Sequence, residues 1–178
     1  MVKRDLMRPS LSGAATKVLA MLLVVAVIAV GAVVIGNLVS GNTIPNTATA
    51  LAQVKQADSG LARSLGNFQP AVKKCGGQLG CVTSLVRTEA KHLETFNSQI
   101  HRISLTGKAA ADAAALVAAD NAMLQDLDKL GAATSNVQYL NVAKTASLQQ
   151  DVNTAGAAFA KLVKDLGGTI PWPEKGRQ

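Results

Sequence analysis

Apolar side chains recur every three or four residues through most of this chain, the spacing of one face of an α-helix. Val82, Val86, Ala90, Leu93, Phe96, Ile100 and Ile103 form the clearest stripe, with Arg87, Lys91, Glu94 and Ser98 opposite. An earlier segment carries Leu51, Val54, Leu61, Leu65 and Phe68, and should end near Asn67–Pro70, beside Gly66. A later one carries Ala109, Ala113, Leu116, Met123, Leu127 and Leu130, with Gly131 as its stop. The last carries Val137, Leu148, Val152, Ala155, Phe159, Leu162, Val163 and Leu166, and ends at Gly167-Gly168. Gly156 falls inside it at a cost of about 1 kcal/mol relative to alanine, as expected where two helices approach closely. Period-two alternation is almost absent. The pattern predicts an all-α fold, an up-down four-helix bundle over residues 47–168.

One stretch has no polar face at all. From Val18 to Gly36 nineteen residues in succession, VLAMLLVVAVIAVGAVVIG, carry no polar side chain. As a helix they reach about 28 Å, close to the ~30 Å hydrocarbon core of a bilayer. Leu38 and Val39 extend the run past Asn37, so a transmembrane anchor is expected over residues 18–39. Lys3, Arg4, Arg8 and Lys17 precede it, and Lys55 is the first base after it. That asymmetry keeps residues 1–17 as a short basic cytoplasmic arm and exports the rest. The competing reading is a cleaved signal peptide, with Ala48-Thr49-Ala50 as a small-x-small site. That site lies far past the apolar run, so an uncleaved signal anchor is preferred. No cysteine follows the run directly, which excludes a lipoprotein anchor. Ala32 and Gly36 form one small-xxx-small pair, through which two anchors would form a homodimer. Residues 40–46, SGNTIPN, read as a linker, with Asn46 or Thr47 capping the first helix. Residues 169–178, TIPWPEKGRQ, read as a flexible Pro/Trp tail. Trp172 either folds back on the bundle or serves as an exposed anchor for a partner.

Charge adds one exclusion. The net charge is +7, which would suit nucleic acid, yet charged residues are only 16% and aromatics 3%. Beyond the arm the bases are scattered, with no run longer than Lys73-Lys74. A nucleic-acid partner is therefore not expected.

Cys75 and Cys81 are the two cysteines, with Gly76-Gly77-Gln78-Leu79-Gly80 between them. Three glycines allow the sharp turn, and export places the pair in an oxidising space, so a structural disulfide is expected. Two thiols without a nearby histidine are too few ligands for zinc. The spacing is not the redox C-x-x-C, and no local base activates a nucleophile. CGGQLGCV is followed by an amphipathic helix with Phe96, then by AADAAALVAAD, then by a helix with Tyr139 and Leu148. Over residues 70–166 this order resembles a group of exported or membrane-anchored actinobacterial helical-bundle proteins of unassigned function. In that group a short cysteine loop precedes about three helices, behind a membrane segment or lipoprotein signal. Where the group places an acidic residue and proline after the second helix, this chain reads Ser104-Leu105-Thr106-Gly107. The resemblance implies fold and export, and carries no functional residue with it.

Chemistry is sparse in the sequence. His92 and His101 fall on opposite sides of one helix and read as surface residues. Thr106-Gly107-Lys108 lacks the glycine loop of a phosphate site, and no G-x-S-x-G or H-E-x-x-H occurs. Asp58 lies within the first apolar stripe, and Asp120 lies near the centre of the third. Antiparallel packing brings both to the level of Leu93, with Glu89 bordering the second stripe. They would form a polar layer, binding a cation or pairing with Lys144 or Asn141, unless both sit at stripe edges and reach water. No catalytic, cofactor or dedicated metal residue is expected. The primary reading is a non-enzymatic, single-pass cell-envelope protein whose exported bundle is an interaction or scaffolding module for an unknown envelope protein. The alternative is an extracytoplasmic bundle that binds or senses a small ligand or cation, which a cavity beside Asp58 and Asp120 would favour.

Overall fold

The computed structural model describes residues 45–169. The expected arm, the 18–39 anchor, most of the linker, and the tail from residue 170 onward lie outside the described residues. Those described form five helices: α1 Pro45–Lys74, α2 Leu79–Arg102, α3 Gly107–Gly131, α4 Asn136–Thr145 and α5 Leu148–Asp165. None of the five is long and apolar enough to cross a membrane.

The first helix starts earlier and ends later than its pattern predicts. It begins at Pro45, so Asn46 and Thr47 lie in its first turn instead of capping it. Proline suits that position, because its missing N–H would have had no partner there. The helix then runs through Pro70 to Lys74. Interior proline costs about 3 kcal/mol. Here the apolar face continues past it: Val72 is 2% exposed and Cys75 4%. Burial of that last turn offsets the lost hydrogen bond.

Cys75 and Cys81 form the expected disulfide, with Cα atoms 5.6 Å apart. Gly76 and Gly77 adopt φ of 56° and 82°, a left-handed geometry that other residues resist. The bridge ties the end of α1 to the first turn of α2. Closing so short a loop contributes about 2 kcal/mol on the chain-entropy model.

The predicted stripe of α2 is the buried one, from Val82 through Ile100. The fourth predicted helix is instead two. The chain breaks at Ala146-Ser147, where Asp126 of α3 accepts the Ser147 backbone N–H at 2.9 Å. The same carboxylate takes the Lys129 ammonium at 3.1 Å. A buried acceptor on a neighbouring helix thus satisfies the break. Ser135 caps α4 by accepting from Gln138 N–H. Val137, expected in the stripe, is 68% exposed. The buried residue of α4 is Tyr139.

At its far end α5 stops on Gly167, with φ of 77°. Gly167 N–H and Gly168 N–H then return to Lys164 and Val163 carbonyls at 2.9 and 2.8 Å, closing a Schellman motif. A Cβ on Gly168 would stand 2.7 Å from Val163 Cγ1 and 2.9 Å from Leu51 Cδ1. The end of α5 therefore needs glycine to rest against the start of α1.

α3 is the central helix, packed most extensively on α5 and then on α2, while α1 lies against α2 and α4 rests on α3. α1 and α5 are not among the closely packed pairs. Two buried clusters make up the core. One includes Val54, Leu93, Ile100, Leu116 and Leu162, and the other includes Val72, Val82, Val86, Leu130 and Tyr139. Met123 and Leu127 touch both.

Candidate functional site

A cavity of about 130 Å³ sits where the two clusters meet, and all five helices line it. Its position follows from the packing. α1 and α5 do not close on each other, and Ala155 and Gly156 leave little side chain on the α5 wall. The half-buried wall residues Leu61, Leu65 and Phe68 of α1 face Gly156 and Phe159 of α5, which puts the mouth between these helices. The wall is apolar except at Asp58, Glu89, Asp120 and Tyr139.

The structure brings the two predicted aspartates to this one cavity. Asp120 is 2% exposed, so it does not reach water at a stripe edge. Its Oδ2 has no hydrogen-bond partner. Burial raises its carboxyl from 3.8 to about 7. Asp58 is half-buried, and burial raises it to about 6. The expected pairing with Lys144 or Asn141 does not form. Both lie on α4, which the break at Ser147 separates from α5, and both are exposed. Among the described residues no group of three or more His, Cys, Asp or Glu side chains gathers to hold a metal ion.

Tyr139 closes the α4 side of the cavity, and burial pushes its phenol up to about 12. Glu89 lines the cavity too, but its carboxylate is engaged. Ser64 donates to it at 2.9 and 2.7 Å from the two oxygens. His92 lies 3.6 Å from the same carboxylate and contacts the Ser64 hydroxyl through Nδ1.

Sequence reading missed this serine, histidine and carboxylate grouping, because Ser64 and His92 come from the polar sides of different helices. Their register depends on how α1 docks on α2. The grouping is not arranged as a nucleophilic triad. Ser64 and Glu89 both approach the same ring nitrogen of His92, Nδ1, whereas a triad sets its acid on the ring nitrogen opposite the nucleophile. Its effect is to hold the Glu89 side chain on the α1–α2 seam.

Comparison with known family models, curated proteins and solved structures finds no match for the chain. The functional reading therefore rests on the cavity and its wall.

Proposed function

We propose that residues 47–168 form an extracytoplasmic binding module that holds a small apolar molecule between its helices. In this reading the 18–39 segment tethers the module to the membrane, and binding, not catalysis, is its task. The apolar pattern alone ranks a scaffolding role first. The cavity of about 130 Å³ is the observation that supports ligand binding over it. A scaffold works through its outer faces and gains nothing from an apolar pocket between its helices. A pocket open to water leaves apolar wall wet, at a cost of about 25 cal/mol per Å² of that surface. An occupant removes that cost. A comparable engineered cavity accepts benzene, so one ring fits, and the mouth leaves room for a short alkyl chain on it.

Phenylbutanol, a neutral ring-and-chain molecule, tests this reading. Saturating it should raise the melting temperature of the full chain in lipid nanodiscs by several degrees, since ligand at a hundred times Kd adds about 2.7 kcal/mol. Gly156→Leu should abolish that shift. It fills the cavity wall and also improves helix propensity, so the fold is retained. Melting of the wild-type chain that does not respond to phenylbutanol contradicts the proposal.

A further inference from the structure

We infer that the molecule held in this cavity carries a cationic amine on its apolar body, with Asp120 as its counter-ion. The inference rests on the cavity-binding reading and adds the chemistry of the ligand's polar end.

Asp120 supplies the first reason. Asp120 lines the cavity at 2% exposure, and its Oδ2 is left without a hydrogen-bond partner. A buried carboxylate without compensation is costly, and protein interiors normally pair it. Among the described residues no lysine or arginine lines the cavity. Among the described residues Asp126 pairs with Lys129, and Glu89 sits beside His92. The missing positive charge is left for the occupant to bring.

The rest of the wall selects the same sign. The titratable groups facing the cavity are Asp58 from α1, Glu89 from α2, Asp120 from α3 and Tyr139 from α4, with none from α5. All four are acids. Glu89 is already held by Ser64. Asp58, half-buried on the α1 side of the mouth, adds a second carboxyl along the entry path. An anionic head group would meet repulsion from the ionised carboxyls of this wall, while Tyr139 stays a neutral phenol. An alcohol would make a hydrogen bond but leave the charge unmatched. An ammonium provides both donor and charge, and charge-assisted hydrogen bonds are about twice as strong as neutral ones.

The pairing requires ionised Asp120, whose carboxyl burial holds near pH 7. An alkyl ammonium stays protonated well above that range. Amine affinity should therefore rise with pH between 5 and 8.

Calorimetry on the full chain in zwitterionic nanodiscs, with empty discs as blanks, compares phenylbutylamine, phenylbutanol and phenylbutyrate. At pH 8 the amine should bind about tenfold tighter than the alcohol, a difference near 1.4 kcal/mol. That advantage should shrink at pH 5. Asp120→Asn should abolish it at pH 8 while leaving alcohol binding in place. This variant removes a buried charge, so it is expected to fold. Equal binding of amine and alcohol by the wild-type chain overturns the ammonium inference and leaves the apolar cavity standing, as does tighter binding of phenylbutyrate. Failure of all three probes overturns the cavity reading itself.

Discussion

Leu162→Ala should destabilise the chain by about 3–4 kcal/mol, within the range of buried leucine truncations. Leu162 is fully buried, at 0% exposure, in the cluster shared by α1, α2, α3 and α5. It does not border the cavity, so the lost side chain leaves a new void in solid packing. For a chain of this size the loss amounts to a fall in melting temperature of roughly 10–15 °C. Val137→Ala is the matched control. It removes an apolar side chain of α4 that is 68% exposed, and should cost less than about 0.5 kcal/mol. Circular dichroism melting of both variants checks the pair. A similar loss at both positions would contradict the split of the last helical segment into α4 and α5.

Asp120→Asn should stabilise the chain at pH 8 by an amount on the order of 2–4 kcal/mol and leave it nearly unchanged near pH 3.5. The folded carboxyl titrates at about 7, against an ordinary value of 3.8. Folded chains therefore retain a proton that unfolded chains release across that interval. Stability from this group is complete below pH 3.8, declines as pH rises, and is lost above 7. Asp58, raised to about 6, adds a smaller slope of the same sign. Other carboxylates pull the overall profile in different directions, so the diagnostic quantity is the wild-type minus variant difference. Urea unfolding of both chains from pH 3.5 to 8 measures it. A flat difference would mean that Asp120 is solvated in the folded state. A buried acid that weakens the fold at neutral pH is also what a ligand-binding carboxylate looks like before its partner arrives.

Much of the fold was legible because its cause is local periodicity. The α2 stripe, the disulfide and the glycine stop of α5 each follow from a few neighbouring residues. Other features depend on docking. Pro70 signals a stop, and only the burial of Val72 and Cys75 explains why α1 continues. The break before α5 had a signal in Ser147 followed three residues on by Gln150, a helix-start pattern. Periodicity across Val137 and Leu148 outweighed it. Asp126, which satisfies that break, lies 21 residues away. Asp58 and Asp120 were visible as polar residues in apolar stripes. The cavity beside them was not, because a void is set by the spacing of α1 and α5. The cluster of Ser64, Glu89 and His92 likewise depends on the rotation of α1 against α2.

Methionine methyl resonances give the most direct view of the cavity in use. Met123 lines it and touches both core clusters, while the other methionines are Met1, Met7 and Met21, before α1. Phenylbutanol added to the methyl-labelled chain in nanodiscs should shift the Met123 signal saturably. Gly156→Leu should suppress that shift. A Met123 resonance that stays fixed while the probe saturates would show that no apolar guest enters between the helices.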